Sequence, residues 1–244
     1  MGQIQMSPLG RFERFLLPTD GSEISIGAEK LAIAMCCRSG GRLVVMRAVL
    51  RGAGGYLAPE TDAKDEQEAK EDIARLKREV EAAGVDCTTA LRFADDPYKA
   101  IVEEARDTQA DIIVMGRRGR RGLARLMLGD ATAKVMGYAP CPVMVVPKSA
   151  GMWRHMLLAT DGSRSSDAAT VTAAAMAKCC GTPLTVLSVK VPIHAEQRRA
   201  EAQPIVDRAV NYLRQEGVAA EGFIKEGLAD EVIVDVANDL GDVL

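Results

Sequence analysis

The residues best placed to do chemistry lie in one glycine-rich stretch. Met115-Gly116-Arg117-Arg118-Gly119-Arg120-Arg121-Gly122 follows an apolar run, Asp111 to Val114, and leads through Leu126-Met127-Leu128-Gly129-Asp130 into a helix-like segment. Glycines let a backbone approach a ligand closely, and a helix opening near Gly129 would turn its first amides toward an anion. An α/β protein holds a phosphate in this way. The stretch ends, however, in Asp130, a carboxylate where a phosphate calls for a donor. At 4 Å and a surface-like dielectric, that pair of like charges costs about 4 kcal/mol, roughly three decades of affinity. Arg117, Arg118, Arg120, Arg121 and Arg125 crowd the same loop and could offset the charge, as could a bridging magnesium ion. The plainer alternatives are that Asp130 caps its helix and that the arginines form a solvated face.

Other motifs fail. The chain has no G-x4-G-K-[ST] phosphate loop, and the glycines at 116, 119 and 122 do not fit G-x-G-x-x-G. It has no G-x-S-x-G elbow and no histidine placed for a triad. Asp95-Asp96 and the pair Asp161, Asp167 read more readily as helix caps than as catalytic carboxylates.

The elements that must position the loop occur twice. Phe15-Leu16-Leu17-Pro18-Thr19-Asp20-Gly21-Ser22 returns as Met156-Leu157-Leu158-Ala159-Thr160-Asp161-Gly162-Ser163. Ile24, Ala28, Leu31 and Met35 mark one buried helical stripe before the strand Leu43 to Val49, and an Ala-rich helix from Ser165 to Cys180 precedes Leu184 to Val189. A charged helix with Ala69, Ile73, Leu76, Val80 and Ala83 on one face ends at Gly84, and its counterpart with Val206, Val210 and Leu213 ends at Gly217. Strands Cys87 to Phe93 and Ala219 to Lys225 follow, then helices Pro97 to Asp107 and Asp230 to Asp239. The first copy closes with strand Asp111 to Met115, the glycine loop, a helix near Gly129 to Gly137 and a strand Val143 to Val146.

Strands alternating with helices predict α/β architecture: two tandem doubly wound parallel-sheet domains, 1–148 and 149–244. The second copy reaches Asp242-Val243-Leu244, the counterpart of Asp111-Ile112-Ile113, so its glycine loop and last strand, about 35 residues by comparison with the first copy, are expected to be missing from it. In a parallel sheet, ligands bind beyond the carboxyl ends of the strands, where strand order reverses. Thr19-Asp20, Arg47 to Val49 and Met115-Gly116 all lie at such ends. In the second copy Thr160-Asp161 holds the equivalent place, with a simple Asp-Gly turn as the alternative.

Composition narrows the partners. A net charge of −3 and a loop without aromatic residues argue against nucleic acid. No apolar run has the length of a membrane span, and residues 1–11 lack a signal-peptide pattern, so a cytoplasmic protein is expected. Six cysteines without a CxxC, two of them adjacent pairs, predict free and mostly buried thiols.

The spacing Gly116-x2-Gly119-x9-Gly129, with Thr19-Asp20-Gly21-Ser22 after the first strand and Ala139-Pro140-Cys141-Pro142 before the last, resembles the universal stress protein family. The resemblance covers the whole chain as two tandem copies. It implies a five-stranded sheet of the adenine-nucleotide α-hydrolase kind, and ATP binding where Ser or Thr follows the last glycine. By that resemblance Asp20 would meet adenine with Ala48 beside it, Thr19 would belong to the same binding set, and Met115, Gly116 and Gly119 would face ribose and phosphates. Gly129, Asp130 and Ala131 would hold the phosphate end. The ligand implied is ATP, with magnesium as a companion, and the role is a stress-response sensor with hydrolysis absent or slow. The last strand, Val143 to Val146, would pair across a pseudo-twofold, within a homodimer or between the two domains. The competing readings are an interaction scaffold whose nucleotide site Asp130 disables, and an adenylate-transferring enzyme, for which the histidine pair and Ser-Gly-Gly loop are missing.

Overall fold

The computed structural model describes residues 12–50, 59–117, 128–193, 200–241 and 243–244. The chain divides into two compact units, 1–152 and 153–244.

In the first unit the strands are β1 (Arg14–Pro18), β2 (Arg42–Leu50), β3 (Cys87–Ala94), β4 (Ile112–Gly116) and β5 (Val143–Val146). Between them run α1 (Ile26–Ser39), α2 (Pro59–Ala82), α3 (Pro97–Asp107) and α4 (Asp130–Tyr138). The strands form one parallel sheet in the order β3-β2-β1-β4-β5. The chain therefore winds outward from β1 to β3, returns to β4, and winds outward the other way. Between β1 and β4 the order reverses, and the crossovers leave a crevice above the carboxyl ends there.

Each face of this sheet is buried for a reason visible in the residues. Leu16, Val44, Met46, Ile113 and Met115 alternate onto one face, where they meet Ala100, Ile101 and Ala105 of α3 and Val135 of α4. Alternate residues Phe15, Leu17, Leu43 and Val45 turn to the other face, beneath Ala28, Leu31 and Met35 of α1 and Ala69, Ile73 and Leu76 of α2, all buried. The start of β1 is held by Asp111, itself buried. Its Oδ2 accepts from the amides of Glu13 and Arg14, and its Oδ1 accepts from Arg14 Nη2 at 2.7 Å.

The second unit repeats the opening half: β6 (Met156–Ala159), α5 (Arg164–Cys180), β7 (Leu184–Lys190), α6 (Ala202–Gln215), β8 (Ala220–Glu226) and α7 (Ala229–Leu240). Its parallel sheet runs β6-β7-β8, and an isolated parallel bridge joins His155 to Val243. Asp242 lies outside the described residues. The two registers superimpose: Phe15 pairs with Leu43 as Met156 pairs with Leu184.

Two expectations need correction here. All six cysteines are free, but only Cys36, Cys87 and Cys141 are buried; Cys37 is exposed, and Cys179 and Cys180 are half-buried. Adjacent residues on a helix point about 100° apart, so one face cannot bury both members of a pair. The cap of α5 is Ser163, whose hydroxyl accepts from the Ser166 amide, rather than Asp161 or Asp167. Asp96 does cap α3, accepting from the Tyr98 amide at 3.3 Å.

Candidate nucleotide site

A cleft of about 580 Å³ opens at the carboxyl ends of β1, β2 and β4. That volume lies within the roughly 300–1,000 Å³ typical of small-molecule sites. Thr19, Asp20, Ala48, Met115, Gly116, Gly129, Asp130 and Ala131 all line it. Gly119 lies outside the described residues, as do Arg118, Arg120, Arg121 and Arg125.

The turn after β1 is built from its own side chains. The Thr19 amide donates to Met46 O at 3.0 Å, extending the β1–β2 ladder by one bond. Thr19 Oγ1 accepts from the Gly21 amide, while Asp20 Oδ1 accepts from the amide and hydroxyl of Ser22 at 3.1 and 2.6 Å. Gly21 has φ of +67°, which favours glycine, and a Cβ there would press on the end of the Asp72 side chain.

Beneath this turn lies a buried polar network that the sequence pattern did not single out. Thr19 Oγ1 donates to Glu29 Oε1 at 2.7 Å, and Ser25 Oγ lies 3.0 Å from the same oxygen. Arg75 of α2 approaches the other Glu29 oxygen at 3.7 Å. Beside it Arg47 Nη2 of β2 meets Asp72 Oδ2 of α2 at 3.4 Å, with side-chain exposures of 9% and 23%. Arg47, Asp65 and Glu68 also line the cleft. A charged residue inside an otherwise apolar strand was the available signal for Arg47.

At the opposite end, hydrogen bonds hold the two ends of the glycine loop together. The Gly129 amide donates to Arg117 O at 3.0 Å, the Arg117 amide to Val146 O at 3.0 Å, and Thr132 Oγ1 to Gly116 O at 3.2 Å. The helix α4 thus begins against the last residue of β4. Its N-cap is Gly129, in extended conformation and without a side-chain cap. The first-turn amides of a helix have no intrahelical acceptor, so here they are available to an anion.

The capping role considered for Asp130 does not hold. It is the first helical residue, its side chain is 80% exposed, and Oδ2 pairs with Lys134 Nζ at 2.8 Å one turn on. Lys134 also meets Asp96 Oδ2 at 2.9 Å, so one ammonium is shared by two carboxylates. The hydrogen bonds from Asp130 and then Asp96 raise the Lys134 pKa above the usual lysine range, so this cation stays charged. Asp20, Asp65, Glu68, Asp95, Asp96 and Asp130 together make the described wall acidic. Among the described residues, no group of three His, Cys, Asp or Glu is arranged to hold a metal ion.

The second unit has a cleft of about 320 Å³ in the equivalent place, lined by Thr160, Asp161, Ser166, Ser188 and Lys190 among others. The turn is the same: the Gly162 amide donates to Thr160 Oγ1, and the Ser163 amide to Asp161 Oδ1 at 3.0 Å. Hydrogen bonds from Ser163 hold the Asp161 carboxyl below its usual pKa. The buried charges differ. Ser188 stands in the register of Arg47, and Ile205 lies against Gly162 as Asp72 lies against Gly21.

Comparison with known proteins agrees with this geometry. The model of the Universal stress protein family matches residues 11–147 and 152–241. The chain belongs to the universal stress protein family. A universal stress protein of Methanocaldococcus jannaschii is 33% identical over 145 residues, which are 56% of this chain and 83% of that protein. One from Thermus aquaticus is 34% identical over 136 residues, 55% of this chain and 98% of its own. In fold, a solved universal stress protein from Archaeoglobus fulgidus superimposes with a TM-score of 0.76 at 20% identity, covering 94% of this chain and 85% of its own. Among the described residues, no helix is long and apolar enough to cross a membrane.

Proposed function

We propose that this universal stress protein is a nucleotide-responsive regulatory module of stress adaptation. Its first unit binds an adenine nucleotide, ATP or a relative of it, in the cleft above β1, β2 and β4. One observation carries the reading: eight expected ligand residues, drawn from four separate parts of the chain, line a single cleft that ends on the uncapped N-terminus of α4. Asp20 and Ala48 serve the base, Met115, Gly116 and Gly119 the ribose and phosphates, and Gly129, Asp130 and Ala131 the phosphate end. Magnesium accompanies the nucleotide where a phosphate tail needs its charge. Among its described residues the site has no organised acid–base pair, and in this reading the nucleotide acts as a conformational ligand with hydrolysis slow at most.

The reading extends to the whole protein. Residues 1–148 and 149–244 are the two domains, the protein works in the cytoplasm, and the edge strand β5 pairs with a second copy or between domains. A second reading is favoured by the acidic wall: the fold is kept as an interaction scaffold and the site is empty. Mass spectrometry of gently denatured protein separates the two. Co-released adenine nucleotide is expected. A protein that releases none, and whose melting temperature does not rise with added AMP or ATP, leaves the scaffold reading standing.

A further inference from the structure

The charge of the cleft says more than the presence of a ligand, and it rests on the nucleotide reading just given. Where a ligand's tail would emerge, each described wall presents carboxylates. On the α2 side stand Asp65 and Glu68, at the start of α3 Asp95 and Asp96, and at the start of α4 Asp130. The described cations beside these carboxylates are engaged by acids: Arg47 meets Asp72 at 3.4 Å, Lys64 lies 4.0 Å from Glu68, and Lys134 lies 2.8 and 2.9 Å from Asp130 and Asp96. Among the described residues, the α4 terminus adds about half a positive charge and its first-turn amides. Those amides can hold one phosphate group. A second and third would add negative charge beside the carboxylates.

We propose that the first unit selects a nucleoside monophosphate over the triphosphate, and that the Asp130–Lys134 pair on α4 sets this selectivity. The amides at the start of α4 take the single phosphate, while Asp130, the first residue of that helix, repels a longer tail. Lys134 moderates the carboxylate without cancelling it, because it divides its charge with Asp96. Like charges about 10 Å apart at an effective dielectric near 20 disfavour the longer tail by about tenfold for each added charge, before screening by salt. The expected preference for AMP over ATP is therefore about tenfold or more at physiological ionic strength.

The test is calorimetric titration of the full chain with AMP and with ATP, each with and without magnesium, for wild type, Asp130→Asn and Lys134→Gln. The readout is the ratio of the two dissociation constants, which a general loss of stability does not move; unliganded melting temperatures confirm that each variant is folded. The wild type should favour AMP about tenfold. Asp130→Asn should bring the ratio toward one, and Lys134→Gln should widen it. ATP bound as tightly as AMP, with a ratio that Asp130→Asn leaves in place, overturns the selectivity while the nucleotide site stands. A preference for magnesium–ATP over AMP also overturns it, giving the tail to the metal or to the arginines of the loop. If neither nucleotide binds any of the three proteins, the site reading itself fails, and the selectivity with it.

Discussion

The second unit carries an experiment on the first. Arg47 and Asp72 form a buried ion pair in the first unit, and Ser188 and Ile205 occupy the corresponding places in the second. The duplicated fold therefore supplies an uncharged solution to the same packing problem. Asp72→Ile alone should destabilise the first unit, because it takes the Asp72 carboxylate from a charged side chain that is only 9% exposed. Removing one partner of a fully buried pair costs about 3–5 kcal/mol. Asp72 is 23% exposed, so the cost here falls to about 2–3 kcal/mol. The double variant Arg47→Ser/Asp72→Ile removes the charge as well as its partner. Its stability should return to within about 1 kcal/mol of wild type, since apolar replacement of a buried pair is often neutral. Urea denaturation reads this directly. With a slope of about 1.5 kcal/mol/M for a domain of this size, Asp72→Ile lowers the midpoint by roughly 1.5–2 M and the double variant by well under 1 M. The sole tryptophan, Trp153, belongs to the second unit. The part of the circular dichroism transition that its fluorescence does not follow therefore reports the first unit. A double variant whose loss equals or exceeds the sum of the single losses would show that the charges do not oppose burial, and would refute the argument.

Two further outcomes follow from local environments. Burial pushes the Cys141 thiol up to about 12 and the Cys87 thiol up to about 11, whereas Cys37 is exposed. At pH 8 about one part in ten thousand of Cys141 is thiolate, against about a quarter of an ordinary thiol. Alkylation of native protein mapped by mass spectrometry should find Cys37 modified first; equal rates at Cys141 and Cys37 would contradict the burial. The hydrogen bonds from Ser163 that depress the Asp161 carboxyl contribute stability that is complete above the ordinary carboxylate range and lost as pH falls through the lower native value. Asp161→Asn should therefore flatten the acid limb of the second unit's stability, followed by Trp153 fluorescence in urea between about pH 5 and pH 2. A limb as steep as that of wild type would remove Asp161 from it.

The fold was legible because both periodicities are strong. Strands β2 and β4 are nearly unbroken runs of Leu, Ile, Val and Met, and the stripe Ala69, Ile73, Leu76, Val80 needs a helix to share one face. The repeat then doubled every signal. Thr19, Asp20, Ala48, Met115, Gly116 and Gly129 could be placed together because each ends or follows an element, and parallel topology gathers such ends. Charge pairing across the fold was not legible. Nothing local says that Arg47 reaches Asp72, or that Lys134 divides itself between Asp130 and Asp96, since these pairs depend on how α2 and α3 settle on the sheet. The capping expectation for Asp130 failed for a related reason. A helix start can be estimated only to within a residue or two, and a shift of one residue turns a cap into a first-turn side chain.

The duplication also decides which part of the motif is evidence for a ligand. The Thr-Asp-Gly-Ser turn has the same hydrogen bonds in both units: the threonine hydroxyl accepts from the glycine amide, and the aspartate accepts from the serine amide. Those bonds satisfy backbone donors at the exit of the first strand and lead the chain into a helix. Folding alone is reason enough to keep them, so Asp20 and Asp161 carry little weight as ligand residues by their presence. The glycine end is different in kind. Thr132 and the Gly129 amide hold α4 against the end of β4, yet its N-cap carries no side-chain acceptor for the amides it exposes. Gly at an N-cap costs only about a few tenths of a kcal/mol against Ser, Thr, Asp or Asn, and α1, α6 and α7 also lack a side-chain cap, so the missing cap by itself says little. What sets α4 apart is that Gly129, Asp130, Ala131 and Thr132 all line the cleft, which is the stronger argument that something outside the chain accepts from the amides of that turn.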